Sequence, residues 1–358
     1  MSYLHHLLLF QTVTPLHVGC GRDVGVVDLP VFRDRTTGHP LVPGSGIRGA
    51  MRARFKDQEP ENGQHAWTEE IAGVPLPRLT DKLFGPETGA GGEEPTRHAG
   101  SLAIHDAKLL LYPVRSDRRV YLWITCPAAA DRLARELDVL VDPPPPVPRL
   151  ELRGPVGDEE LLGPTSLGTD ANLEEIHLRS AAGEHTEADR RALTGWATRL
   201  GELLHRPELP EATALVSDAT FHHFVNHATL VLQHNRLDAA KTVAQGQLFS
   251  VEAVPPEAVF FGFAGATAAR WPSARADGHT EATDERDGSE PSGTAERLAA
   301  ERVLALFRRG LFGANGAREA TVHLGGHEST GLGVTRIVWA GPAAAGEGAG
   351  RKEATGGS

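Results

Sequence analysis

The residues that could do chemistry concentrate in one stretch, Leu16 to Phe55, which reads LHVGCGRDVGVVDLPVFRDRTTGHPLVPGSGIRGAMRARF. It sets an acid, Asp28, in a loop, with Gly19, Gly21 and Gly25 before it and Pro30 after it. A helix start with regularly spaced arginines follows. Glycine lets a backbone approach a ligand closely. A carboxylate between such turns and a row of cations is an arrangement that could hold a phosphodiester chain beside an acid.

The helix that must carry those cations is expected to start at Ser45, a good N-cap after Pro43-Gly44. Ile47, Met51 and Phe55 then recur at i, i+4 and i+8 and form one apolar face. Arg48, Arg52 and Lys56 repeat the spacing one residue later, as a neighbouring cationic stripe. The helix N-terminus adds unpaired N–H groups that suit phosphate oxygens. From Arg33 to Lys56 there are six Lys/Arg against one acid, Asp34, in a chain of net charge -11. A solvated amphipathic helix would show the same pattern. The glycines belong to neither a dinucleotide fingerprint nor a Walker loop, because Asp28-Leu29-Pro30 interrupts the chain where a helix would have to begin and no Gly-Lys-Ser/Thr follows. By itself, Asp28 also fits a cap on the turn before Leu29-Pro30.

A second cluster is formed by His223 and His227 at i, i+4, with His222 and His234 nearby. Such spacing can bind zinc on a helix face. Phe224 stands where a protease-type HExxH needs Glu, and no cysteine is close, so a solvated histidine-rich surface is the expectation. Asp106, inside an apolar strand pattern, reads as a structural acid.

The elements around these sites follow from periodicity. Leu4–Thr12 is expected to be a buried strand, Leu102–Val114 and Arg119–Thr125 two more, and Thr321–Leu324 with Leu332–Trp339 a closing pair around a glycine loop. Helical patterns cover Ala128–Leu140, Ala188–His205 and Ala295–Phe312. Glu59–Gly100, rich in Gly, Pro and charge, reads as a long insertion. Ser273–Pro291, with six acids and two arginines and no aliphatic residue larger than alanine, reads as disordered, as does the low-complexity tail after Ala340. The mixed order of strands and helices predicts an α+β fold.

Composition bounds the class. A pI near 5.9 argues against general nucleic-acid binding but leaves room for a local cationic groove. Two cysteines fit a reducing compartment. The start, MSYLHHLLLF, lacks the basic region of a signal peptide, and no stretch is long enough to cross a bilayer. A soluble cytoplasmic protein is expected.

Several segments resemble one known family. His17-Val18-Gly19-x-Gly21, Val27-Asp28-Leu29-Pro30-x-x-Arg33, Thr37-Gly38-x-Pro40 and Pro43-Gly44-Ser45-x-x-Arg48-Gly49 are similar to the opening of RAMP-superfamily CRISPR proteins, most closely the repeated backbone subunit of the type III-B Cmr complex. Ser101–Pro127, Val216–Phe261 and Gly325–Gly333 resemble that subunit's central strands, thumb region and C-terminal glycine-rich loop. The resemblance implies a ferredoxin-like core of the RNA-recognition type with a thumb-like β-hairpin. It implies a single domain over residues 1–340, with an insertion at 59–100, a thumb region with its following strand at 207–261 and a disordered insert at 273–294. It implies that Asp28 is the catalytic and metal-binding acid of a target-RNA endoribonuclease, using Mg²⁺ or Mn²⁺ brought in with the RNA phosphates. His17, Arg33, Ser45, Gly46, Arg48, Arg52, Gly325, Gly326, His327 and Ser329 are the expected RNA contacts. The implied partners are guide CRISPR RNA, target RNA, further copies of the chain in a helical stack and other Cmr-complex subunits, with no membrane. Glu252 falls where relatives carry an acid near the cleavage region, but Ala253 replaces a common aromatic. A pure RNA scaffold, a solitary guide-processing RAMP enzyme and the backbone subunit of the related Csm complex are the alternatives.

Overall fold

The computed structural model describes residues 3–21, 27–60, 65, 67–86, 98–145, 147–237, 243–271, 297–313 and 317–340. In chain order the first half contains β1 (Leu4–Thr12), β2 (Leu41–Val42), α1 (Gly44–Asp57), α2 (Thr68–Ala72), α3 (Leu79–Phe84), β3 (Leu102–Ile104), β4 (Ala107–Arg115), β5 (Tyr121–Thr125) and α4 (Pro127–Leu140). Then come β6 (Glu160–Leu162), β7 (Asp170–Leu173), β8 (Ile176–Ser180), α5 (Thr186–Leu204), α6 (Leu209–Ala212), β9 (Thr213–Val216) and α7 (Asp218–His227). The last part holds β10 (Leu230–Leu237), β11 (Val243–Ala253), β12 (Val259–Ala266), α8 (Ala300–Phe312), β13 (Glu319–His323) and β14 (Val334–Trp339). The expected insert at 273–294 and the tail from 341 lie outside the described residues.

β1 is central because its run LLLF is apolar on both faces, as a strand covered on two sides must be. It pairs antiparallel with β12 (Phe10 opposite Phe260) and with β14 (Phe10 opposite Ile337). The order β14–β1–β12–β4 forms the middle of a twelve-stranded mixed sheet that runs on through β5, β9, β6, β8 and β7. Side chains alternate across β1. Leu8 and Phe10 pack with Ile47, Met51 and Phe55 of α1 and with Val303, Leu306 and Phe307 of α8. Leu7 and Leu9 pack with Leu133 and Leu137 of α4 and with Leu193, Trp196 and Leu200 of α5. Helices therefore cover both faces of the sheet, and each fully buried Leu or Phe contributes roughly 1.5–3 kcal/mol.

Two sequence expectations change here. Leu102–Val114 is not one strand: it breaks at His105-Asp106 into β3 and β4. The reason is Asp106, whose carboxylate accepts the Gly44 N–H at 2.7 Å. Ser45 is accordingly not the N-cap of α1; Pro43 holds that place and Ser45 lies exposed in the first turn. The cap comes from the β3–β4 break, 62 residues away, and it sets an anion at the positive end of the helix where a phosphate was expected.

Within the Glu59–Gly100 stretch the described residues include α2 and α3. Leu76, Leu79, Leu83 and Phe84 are buried in the main core. Phe55 meets Phe84 edge-on at 5.3 Å and stacks parallel to Phe307 at 6.0 Å. A Cβ at Gly310 would collide with the Phe55 ring, so α8 can approach α1 this closely only with glycine there. β10 and β11 form a separate two-stranded hairpin.

Candidate functional site

Asp28 is exposed and lies beside the hairpin. The segment around it runs parallel to β11: Leu29 N–H donates to Ser250 O at 3.1 Å, and Glu252 N–H donates to Leu29 O at 2.9 Å. The Asp28 carboxylate accepts the Ser250 N–H at 2.7 Å and the Ser250 hydroxyl at 2.8 Å. Asp28 thus does more than cap its own turn; it is fastened to a strand 222 residues later. This anchoring fixes where an exposed carboxylate sits.

Arg33 and Glu252 explain why the segment holds its course. Arg33 pairs with Glu252 at 2.5 Å and donates to Gly38 O at 3.1 Å and Val225 O at 3.0 Å. The second oxygen of Glu252 accepts Val31 N–H at 2.9 Å. Glu252 is buried, and removing one partner of a buried pair leaves an uncompensated charge. The pair is a lock between the Asp28 segment, α7 and the hairpin.

His17 is buried, with Nδ1 2.6 Å from Glu252 O. Its backbone is clamped by the C-terminal glycine-rich loop. Gly326 N–H donates to His17 O at 2.9 Å and Gly333 N–H to Pro15 O at 2.8 Å. Gly325 has φ +76°, and a Cβ there would overlap the His17 carbonyl oxygen. The Gly326 amide is therefore bonded inside the protein rather than presented to a phosphate. His327 stands edge-on to His17 at 5.3 Å and lies 5.1 Å from His234, which stacks on Phe249 at 5.6 Å. Burial, then the neighbouring imidazoles of His17 and His234, hold the His327 imidazole below its ordinary pKa. Ser329 is exposed in a short 3₁₀ turn next to it.

The expected RNA residues thus divide. His17, Asp28, Arg33, Gly325, Gly326 and His327 gather at the base of the hairpin. Ser45, Gly46, Arg48 and Arg52 lie on α1, and Arg48 and Arg52 reach toward α3. Arg48 donates to Phe84 O, and Arg52 donates to Gly85 O at 2.5 Å and pairs with Asp81 at 2.7 Å. The cationic stripe braces the end of α3. Sequence reading missed Ser250, Phe249 and the aromatic role of His234. The alternation of the Leu248-Phe249-Ser250-Val251-Glu252 run was the available signal.

The described residues at this site do not by themselves fit a resident metal. Among the described residues no three His, Cys, Asp or Glu groups are grouped to hold an ion. Among the described residues near Asp28, the acid Glu252 has both oxygens engaged by Val31 and Arg33.

A large sheet flanked by helices, with a hairpin whose base holds an exposed acid beside a glycine-loop clamp, defines the class. The RAMP superfamily profile matches residues 9–336, and the chain belongs to that superfamily. It is similar to the CRISPR system Cmr endoribonuclease Cmr4 of Pyrococcus furiosus, with 27% identity over 263 residues, 72% of this chain and 79% of that one. Its fold is shared with the crystal structure of oligomeric Cmr4 from Pyrococcus furiosus, at TM-score 0.55 and 20% identity, covering 94% of this chain and 98% of that one. It is shared also with a type III-B Cmr-beta structure bound to cognate target RNA, at TM-score 0.60 and 17% identity, covering 95% and 99%. The α+β architecture expected from the sequence is the one these structures share. Among the described residues no helix is long and apolar enough to cross a membrane.

Proposed function

We propose that this protein is a backbone subunit of a type III-B CRISPR effector, binding guide RNA and cutting paired target RNA at Asp28. The supporting observation is an exposed carboxylate held by Ser250 at the base of the hairpin. In this reading β1, α1, β4, β12, α8 and β14, in spatial order β14–β1–β12–β4, form the ferredoxin-like core, and β10–β11 is the thumb.

Asp28 accepts a hydrogen bond from the target 2′-hydroxyl and draws off its proton. The 2′-oxygen attacks the adjacent phosphorus in line, and the 5′-oxygen leaves and takes up a proton. Because the described donors at this site do not group to hold a divalent cation, Mg²⁺ or Mn²⁺ would arrive with the RNA phosphates and offset their charge. Ser45, Gly46, Arg48, Ser329 and the edge of His327 are among the exposed or half-exposed groups that would contact RNA, while His17, Arg33, Gly325 and Gly326 position the site. Copies would stack head to tail along the guide, a heterologous contact that does not close.

The test is target-RNA cleavage by the complex assembled in the cytoplasmic host with Asp28→Asn. Loss of cutting with guide binding intact supports the reading. Unchanged cutting removes Asp28 from the mechanism and leaves the RNA scaffold as the second reading, in keeping with the commitment of Glu252 to Arg33.

A further inference from the structure

The β10–β11 hairpin is a two-stranded sheet by itself, and such a hairpin is marginal in water unless it packs on something. Side chains alternate between its faces, and the one bearing Val231, Gln233, Asn235 and Leu248 leaves those four exposed. On the other face His234 and Phe249 stand opposite each other in register, stack at 5.6 Å and 11°, and are half-buried. His327 of the glycine-rich loop closes over them, 5.1 Å from His234 and 6.3 Å from Phe249. His17 meets His327 edge-on, and its Nδ1 donates to Glu252 O, since a carbonyl oxygen only accepts. One peptide unit joins this ring stack to the acid. The N–H that Asp28 accepts at 2.7 Å belongs to Ser250, in the rigid plane that begins at the Phe249 carbonyl. A shift of Phe249 therefore carries the donor of Asp28 with it.

We propose that His234 and His327 are positioning residues for cutting at Asp28: stacked and neutral, they hold the hairpin at its working tilt, and protonation parts them and releases it. This rests on the reading of Asp28 as the cutting acid. His234 Nε2 is buried with no hydrogen-bond partner among the described residues, so a proton added there meets no acceptor. Two imidazolium rings 5.1 Å apart repel each other. The acids and the cation of the adjoining segments are engaged with other groups. Glu252 is held by Arg33 and Val31, Asp28 is bonded to Ser250, and Glu328 lies 3.8 Å from His323. Burial, then the imidazoles of His17 and His234, already hold the His327 pKa below its ordinary value. The stacked state therefore binds that proton less readily than the released one. It is complete above about 6.5 and is lost as the pH falls.

Target cleavage by the assembled complex tests this, with the rate at saturating target and the half-saturating target concentration measured together. His234→Ala should lower the rate about 10- to 100-fold and leave half-saturation within about twofold of the parent. His234→Phe keeps the ring and accepts an imidazolium on its face, so it should restore the parent rate at about pH 8. The parent rate should fall between about pH 6.5 and 5, above the ordinary carboxylate range near 4, and His234→Phe should move that fall toward 4. Asp28→Asn is run in parallel. If it cuts like the parent, the reading of the site fails and the proposal with it. If Asp28→Asn is inactive, three results overturn the positioning role alone: His234→Ala cutting at the parent rate, His234→Phe as slow as His234→Ala, or an acid fall that His234→Phe does not move.

Discussion

The first turns of α1 and the base of the β10–β11 hairpin differ in how they look as sequence and in what they do as structure. α1 carries a helix N-terminus and evenly spaced arginines, the stronger nucleic-acid pattern of the two. Folded, its N-terminus is capped by Asp106 and its arginines hold Phe84, Gly85 and Asp81. The hairpin base shows only an acid before Leu-Pro, yet it keeps that acid exposed and fastened. Cations spaced along a helix specify a face, whereas the partner of that face is set by whichever segment packs there.

The contrast can be broken or sharpened by experiment. The largest effect is expected for Asp28→Asn, which should lower target cleavage by about 10²–10⁴-fold, measured as cut-product rate in the assembled complex. Next is the lock beneath it. Glu252→Gln leaves Arg33 half-buried without its counter-charge and should lower stability by roughly 3–5 kcal/mol in urea unfolding. Neutral variants there would mean that the Asp28 segment is held by Ser250 alone.

A pH series separates both regions from the rest of the core. His6 stacks on Trp339 at 3.7 Å; burial, with Arg308 and Arg318, lowers its pKa from 6.5 to about 3. The folded state therefore binds that proton less readily than the unfolded chain. Its contribution is complete above about 6.5 and is lost as pH falls toward 3. Unfolding free energy should drop by a few kcal/mol over that window, and His6→Phe should flatten the decline. A smaller loss, about 1–3 kcal/mol, is expected for Gly325→Ala, whose new Cβ meets His17 O at a positive φ. Smallest is Arg52→Ala. It should reduce stability by about 1 kcal/mol while leaving the salt dependence of RNA binding unchanged, and a shallower salt slope would return Arg52 to the RNA surface.

Much of the framework was legible locally. β1 spans Leu4–Thr12 as its apolar run predicts, and Ile47, Met51 and Phe55 are buried as their spacing requires. Asp106, read as a structural acid, is one, and the structure supplies its task. The Ser45 cap failed because a better anion arrives from the distant break between β3 and β4, which no local pattern announces. Ser250 and the Glu252–Arg33 pair were invisible for the same reason, being joined across 222 and 219 residues.

The amino-acid order by itself decided which faces are apolar, where helices and strands run and that an acid sits among glycines, because those properties depend on neighbours within a few residues. Which oxygen meets which donor, and so whether a cation faces RNA or another loop, was decided only when the sheet brought β11 beside Asp28 and β3–β4 beside α1. Register between distant strands is a property of the whole packed core, and the core exists only once the chain has folded.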